Sequence, residues 1–508
     1  MGTSLAGGDP AAGPENGSFG GRWTTAPGRA DRGRIAAASQ GLLIASGHDL
    51  AMSSSPSARP RPVPLPRTWG VRPRDVTALL VANGVFIVLM WIRHGALAEF
   101  GSAGGALTAL GQLSALIGTY LALLGLVLMG RSPWLDEAFG MDRLAWAHRW
   151  LGFATVWLIA AHIALTTTGY ALGDRQWVVA ELATLVLTYP FVLWGLVGFL
   201  LFVMLGVTSV RASRRRLSYE TWYFLHLYAY LAIALAFLHQ LFAGADFIHD
   251  QLAAIYWISL YLLTAALLIV FRIGQPLVTS LRHRLRVSAV VPEAPGVVSI
   301  YLAGRHLDRL RVRSGQYFVI RFLTRDGWWR GHPYSLSSAP NGSWLRITVK
   351  ALGDDSTRLQ RIPIGTAVFV EGPYGVLTGA RRSRRKVTLI AGGIGIAPLR
   401  ALMESLAARP GELTLLYRVR SETDIVFRRE LDLLAAHRGA AVHYLLGRRT
   451  GDAAVGPIGR ASIARLIPDI AEQDVFVCGP ADLMRSVERS LRELGVPARH
   501  VHAERFAY

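Results

Sequence analysis

Between residues 76 and 274 one long apolar stretch follows another, with only short polar segments between them, and no other feature limits the fold as strongly. A helix needs about 20 apolar residues to cross roughly 30 Å of hydrocarbon. Six stretches qualify, over 76–92, 106–129, 149–169, 177–208, 221–242 and 252–273, the fourth being overlong and interrupted at Pro190. An even number of crossings puts both ends of this region on one side. Composition agrees, with 52% apolar and 17% charged residues against roughly 45–50% and 25% in soluble proteins.

Charge sets the side. Arg211, Arg214, Arg215 and Arg216 precede the fifth stretch, and Arg272, Arg282, Arg284 and Arg286 follow or end the sixth, while the opposite loop over 242–251 carries no Lys or Arg. By the positive-inside rule the basic loops and both termini are expected in the cytoplasm, with the bundle crossing the cell membrane and the lipid bilayer as its first partner. The net charge of +20 therefore does not argue for nucleic acid: the arginines flank apolar stretches, and no aromatic–basic motif accompanies them. Residues 1–74 are rich in Gly, Ala, Ser, Pro and Arg without apolar periodicity, which reads as a disordered cytoplasmic tail, with Met52 a second candidate start. A single cysteine, Cys478, excludes a disulfide framework and any cysteine-ligated iron–sulfur or zinc site.

Beyond Arg286 the pattern becomes short alternating strands, over 287–302, 316–322 and 344–349, as in a small antiparallel barrel. From Lys386 apolar strands over 386–390, 412–417 and 474–477 alternate with helical segments, the doubly wound pattern. The expected organisation is a tail over 1–74, a membrane domain over 75–276, a barrel over 281–379 and an α/β domain over 385–508.

Four histidines lie inside or at the ends of the third and fifth apolar stretches. His148 and His162 are fourteen residues apart, His226 and His239 thirteen. Either interval spans roughly 20 Å of helix, so each helix offers one histidine near each membrane face. Intramembrane ionisable residues are functional candidates. Pairing His148 with His226 inside and His162 with His239 outside would give each of two haems its two axial ligands. Thirteen residues fall about 140° short of one helical face, so the fifth helix is expected to bulge or bend.

Several soluble motifs accompany them. His332, Pro333, Tyr334, Ser335, Leu336, Ser337 and Ser338 place an aromatic ring, hydroxyls and a cation on one strand, which suits a flavin and its pyrophosphate. Gly353, Asp354, Asp355, Ser356 and Thr357 open a helix and serve equally as a phosphate site or as a plain cap. A strand then runs into Ala391, Gly392, Gly393, Ile394, Gly395, Ile396, Ala397 and Pro398, where glycines let the backbone approach a dinucleotide pyrophosphate. Arg418, Arg420 and Ser421 stand where a 2′-phosphate would be held, which favours NADPH while leaving NADH open. The last strand ends in Cys478, Gly479 and Pro480, and Asp246, His249 and Asp250 form a small cluster in an outer loop.

Read in order, the histidine pairs, the HPYSLSS, GPYG, AGGIGIAP and VFVCGP motifs resemble the ferric reductase and NADPH oxidase family over about residues 75–508. The resemblance implies a six-helix transmembrane haem-binding bundle, an antiparallel β-barrel FAD domain and a doubly wound α/β nucleotide-binding domain of the ferredoxin–NADP reductase type. It implies FAD contacts from the segment that includes His332, Pro333, Tyr334, Ser335, Leu336 and Ser337, with Gly353, Ser356 and Thr357 near the phosphates. It implies NADPH contacts from Gly392, Gly393, Gly395, Pro398, Gly479 and Pro480, with Cys478 beside the nicotinamide and Phe506, or secondly Tyr508, shielding the flavin. Two departures stand out. Thr166 occupies the place of a further histidine in animal NADPH oxidases, and the second span has no arginine before Arg131.

The implied activity carries electrons from cytoplasmic NADPH through FAD and two b-type haems to an external acceptor, ferric iron ahead of oxygen. The rivals are a membrane subunit feeding a partner protein or quinone, and a haem-free, membrane-anchored flavin reductase.

Overall fold

The computed structural model describes residues 71–210, 216–244, 248, 250–447 and 458–504. The tail expected over 1–74 lies outside them up to residue 70, as do Arg211, Arg214, Arg215, Asp246, His249, Phe506 and Tyr508.

The amino-terminal half is helical. Helix α1 (Pro73–Arg93) begins on a proline, whose missing N–H is no loss in a first turn. Helix α2 (Ala103–Leu128) is capped by Ser102, whose Oγ accepts the Gly105 amide, and is followed by the short α3 (Pro133–Phe139) and the long α4 (Met141–Asp174). The overlong fourth stretch is two helices, α5 (Val178–Thr188) and α6 (Val192–Ser209). They part at Pro190, where Tyr189 is extended and Phe191 left-handed. Helix α7 (Tyr219–Ala243) starts from a Ser218 cap and α8 (Gln251–Leu268) from an Asp250 cap; α8 runs through a π turn (Ile269–Gly274) into α9 (Gln275–His283). Six of these helical runs are long and apolar enough to cross a membrane, the last being the continuous Gln251–His283.

Helices α2 and α4 pack along a seam of glycines seven residues apart: Gly104, Gly111, Gly118 and Gly125. A Cβ on Gly111 would lie 2.4 Å from Thr166 Oγ1, and one on Gly118 2.9 Å from Ile159 Cδ1. Small residues at such a seam let two membrane helices approach closely, and here they allow contacts a side chain would forbid.

The barrel comprises β1 (Arg286–Ala294), β2 (Val297–Ala303), β3 (Tyr317–Phe322), β4 (His332–Ser335), β5 (Trp344–Lys350) and β6 (Val368–Tyr374). Its antiparallel sheets, β1-β2-β5 and β4-β3-β6, are joined by bridges from Arg286 to Ala367 and from Leu336 to Ile347. A helical turn, α10 (Asp354–Arg358), follows β5. The last domain is a parallel sheet in the order β11-β10-β7-β8-β9, made of β7 (Val387–Gly392), β8 (Leu413–Val419), β9 (Ala441–Leu446), β10 (Asp474–Cys478) and β11 (Val501–Ala503). Its central strands β7 and β10 are buried at every position because α11 (Ile396–Ser405), α12 (Arg428–Arg438), α13 (Arg460–Leu466) and α14 (Ala481–Glu493) cover the sheet.

A buried ionic clamp joins the two soluble lobes. Glu430 of α12 accepts two hydrogen bonds of 3.1 Å from Arg346 of β5 and a further contact from Arg400 of α11. The barrel meets the membrane bundle at two places. Ser280 of α9 bonds both the amide and the carbonyl of Val370, and the segment around α3 reaches β6 through Arg131, which pairs with Glu371.

Candidate functional site

The bundle brings His148 beside His226 and His162 beside His239. The ring centroids are 5.9 Å apart in the first pair, with planes at 71°, and 6.4 Å apart in the second, at 52°. His148 and His162 each turn Nδ1 onto a backbone carbonyl of the glycine seam, Gly125 O at 3.1 Å and Gly111 O at 3.0 Å. Both the histidines and these glycines are fourteen residues apart, so two antiparallel helices stay in step. Thr166 Oγ1 lies 3.2 Å from the same His162 nitrogen, so a second group from α4 itself supports that ring.

Helix α7 does not bulge: Tyr219–Ala243 is uninterrupted α-helix, contrary to the expectation from thirteen-residue spacing. The two side chains leave it about 140° apart and the bundle receives them differently. His239 lies against Gly195 of α6, where a Cβ would come within 2.8 Å of its ring, while His226 stacks on Trp222.

Two imidazoles on opposite sides of one metal, with bonds of about 2 Å, have ring centres about 6 Å apart, which both pairs match. With Nδ1 of His148 and His162 committed to carbonyls, Nε2 is the donor left. Among the described residues no three or more His, Cys, Asp or Glu side chains gather to hold a bare ion. Two axial donors and no equatorial ones is the donor set that suits a haem.

In the barrel, His332 and Tyr334 lie on one face of β4 and Pro333 and Ser335 on the other. Among the named strands β4 pairs only with β3, which leaves its far edge open for a ligand beyond a single bridge at Leu336. His332 Nε2 is 3.3 Å from Asp355 Oδ2, and Arg330 reaches the same carboxylate, at the side of a cleft that runs to Arg358 and Ile362. Ser337 sits differently: it is fully buried, and its hydroxyl takes bonds from Thr348 Oγ1 at 2.7 Å and Arg346 Nε at 3.2 Å, within the interlobe clamp. Ser356 and Thr357 turn their hydroxyls onto the Gly353 backbone, the arrangement of a plain cap.

In the last domain β7 pairs with β8 on one side and β10 on the other, so the strand order reverses at the carboxyl ends of β7 and β10. Open α/β sheets bind ligands in such a crevice. Both glycine motifs end there. Gly395 packs so tightly on β10 that a Cβ would be 2.3 Å from Cys478 O, whereas Gly393 has φ +54° and open space beside it. Pro398 is buried in α11, Gly479 lies against Gly392, and Pro480 precedes α14. Cys478 is itself buried, and burial followed by the nearby Glu504 pushes its thiol well up, so it is no thiolate. At the end of β8 and just beyond it, Arg418 lies 3.5 Å from Gly447 O, Arg420 is exposed, and Ser421 bonds Asp424.

Sequence reasoning passed over the junction beneath these motifs. Asp136 of α3 accepts the Gly375 amide at 2.8 Å, Glu504 approaches the same glycine, and Arg381 donates to Glu137 O at 2.6 Å. Burial raises both carboxyls, Glu504 further because Asp136 and Asp142 lie near. Burial also pushes Tyr374, under the Arg131 guanidinium, up to about 12. No local pattern announces such a pair; the glycine heptad of α2, also passed over, is a signal the sequence carries.

At the amino end of α8 both carboxylate oxygens of Asp250 are engaged. Oδ1 caps α8, and Oδ2 meets His94 Nε2 at 2.5 Å and Arg93 at 3.3 Å, contacts led by the His94 bond that hold the carboxyl at about 2.

Three family models match the chain: "Ferric reductase like transmembrane component" over residues 114–237, "FAD-binding domain" over 290–378 and "Oxidoreductase NAD-binding domain" over 389–489. Ferredoxin–NADP reductase B of Sorangium cellulosum is 34% identical over 236 residues, 44% of this chain and 96% of its own length. The glycine betaine monooxygenase reductase subunit of Chromohalobacter salexigens is 26% identical over 242 residues, 45% of this chain, and the chain spans 65% of that relative. Among solved structures, the FAD/NAD-binding domain of nitric oxide dioxygenase from Vibrio cholerae aligns with 26% identity and a TM-score of 0.37 over 44% of this chain and 97% of its own.

Proposed function

The chain belongs to the ferric reductase family, in which a transmembrane component is fused to FAD- and NAD-binding domains of the ferredoxin–NADP reductase type, and from that premise we propose that it is a transmembrane reductase. Electrons pass from cytoplasmic NADPH, through FAD and two b-type haems, to an acceptor outside the cell membrane. Ferric iron or a ferric chelate leads as acceptor, with oxygen second. The observation that carries this reading is the pair of facing histidines at each of two depths.

When bound, flavin takes both electrons of a hydride and haem passes them on singly. The chain supplies placement. His148, His162, His226 and His239 would hold the haems, with Gly125, Gly111 and Thr166 orienting the α4 pair. Each level offers one histidine from α4 and one from α7, so a haem held there would draw both of its protein ligands from the chain and supply one-electron transfer. His332, Pro333, Tyr334, Ser335 and Leu336 would line the flavin along the open edge of β4, while Ser337 holds that strand on the clamp. Gly353, Ser356 and Thr357 would stand at its phosphate end. Gly392, Gly393, Gly395, Pro398, Gly479 and Pro480 would shape the NADPH crevice, Arg418, Arg420 and Ser421 its 2′-phosphate end, and Cys478 its floor by shape rather than charge. Phe506, two residues past Glu504, would cover the flavin. Outward electron flow in an inside-negative cell gains about 2.3 kcal/mol per charge per 100 mV.

An anaerobic reduced-minus-oxidised spectrum of the purified full chain, titrated with NADPH, tests the proposal. The expected result is b-type haem bands at about two haems per chain. Flavin bleaching with no haem band would refute it. In His162→Ala or His239→Ala the outer haem should be lost while NADPH still bleaches the flavin.

A further inference from the structure

We propose that Trp222 is the positioning residue of His226, fixing the plane of the inner imidazole that no hydrogen bond fixes. The inference rests on the haem reading above. The four imidazoles are held by unlike means. His148 and His162 are anchored through Nδ1 to the Gly125 and Gly111 carbonyls. His239 has no hydrogen-bond partner at Nδ1, but its ring is wedged against Gly195, closely enough that a Cβ there would lie 2.8 Å away. His226 Nδ1 is buried and without a hydrogen-bond partner, and its ring is not among the nearest neighbours of any glycine among the described residues.

What His226 has is an indole. Trp222 lies one turn earlier on α7, where residues four apart are neighbours, and its ring is stacked on the imidazole with centroids 5.0 Å apart and planes at 25°. The indole is held in turn: Nε1 donates to Ser209 Oγ at 3.4 Å, from the last residue of α6. A tether from α6 thus passes through Trp222 to a ring on α7, which faces His148 on α4 at 71°. An imidazole bonded through Nε2 keeps one soft motion, rotation about that bond. The stacked indole blocks it, doing at the inner level of α7 what a carbonyl does on α4. An iron held between His148 and His226 would sense the angle between their ring planes, so Trp222 would act on it without touching it.

The test uses the full-length protein in detergent, with haem content measured as the pyridine haemochrome and the oxidised state examined by EPR. Trp222→Leu should shift the largest g value of one of the two low-spin signals, or cost that one haem, and leave the other signal untouched. Trp222→Phe, which keeps an aromatic face, should restore both the signal and the haem. Ser209→Ala, which frees the indole but keeps it, should give a smaller shift in the same signal. Two haems and both wild-type signals in Trp222→Leu would overturn the proposal, as would equal loss of haem from the Leu and Phe variants. A wild-type chain without haem would overturn the functional reading beneath it, an outcome the haemochrome separates from the others.

Discussion

The carboxyl groups of Asp136 and Glu504 converge on Gly375. Its amide donates to Asp136 Oδ2 at 2.8 Å, and a Cβ built on it would lie 2.6 Å from Glu504 Oε1. Both side chains are buried, and each leaves one oxygen without a hydrogen-bond partner. Like charges so placed resist ionising together, and burial raises both groups. The unfolded chain therefore gives up these protons first. Stability is full below the ordinary carboxylate range, falls as pH rises from that range through the raised folded value, and then levels off. Glu504→Gln should flatten this decline and raise the neutral-pH melting temperature, read by flavin fluorescence between pH 5 and 8. An unchanged slope would mean that the pair does not titrate as described.

The glycine seam predicts a contrast within the membrane. Gly111→Ala drives a Cβ into the Thr166 backbone amide, 2.9 Å away, and should cost about 1–3 kcal/mol while loosening His162. Gly152→Ala, on α4 with open space beside it, should be neutral or gain up to about 1 kcal/mol. Thermal unfolding in detergent, alongside haem content, ranks the two.

At the nucleotide crevice Gly395→Ala meets backbone, Cys478 C at 2.5 Å, and neither strand end can yield cheaply. NADPH-driven flavin bleaching should be lost with the membrane domain intact. Gly393→Ala meets only its own positive φ, about 1–2 kcal/mol, and should retain most of the bleaching rate. Equal effects would place the crevice elsewhere.

Removing Glu430 from the interlobe clamp leaves the buried Arg346 guanidinium without a carboxylate, while Arg400 keeps Glu404. Glu430→Ala should cost about 3–5 kcal/mol in denaturant unfolding of the soluble lobes. A loss below 1 kcal/mol would show that the clamp relaxes to solvent.

What could be read from sequence was whatever repeats locally. Six apolar stretches, the strand-to-glycine turn after β7 and histidines thirteen and fourteen apart are local patterns, and the structure shows them as long apolar helices, a turn where the strand order reverses and two pairs of facing rings. The bulge in α7 failed because helical phase constrains Cβ direction, while an imidazole has reach and the bundle has Gly195 to make room for it. Ser337 reads as a ligand from its motif, yet its hydroxyl bonds Arg346 and Thr348 on a different strand. Asp136 and Glu504 lie 368 residues apart, and only the docking of three domains makes them neighbours.

The last membrane helix has no loop between its outer end and the barrel. From Gln251 to His283 it is helical without a break, and Ser280 on its final turns bonds both backbone groups of Val370. At 1.5 Å per residue it is a beam of about 50 Å. Tilting such a beam by about 5° about its outer end would carry the other end about 4 Å sideways. On the proposed reading, the spacing between the flavin edge and the inner histidine pair would follow the tilt of that beam, which a thicker or thinner bilayer would change.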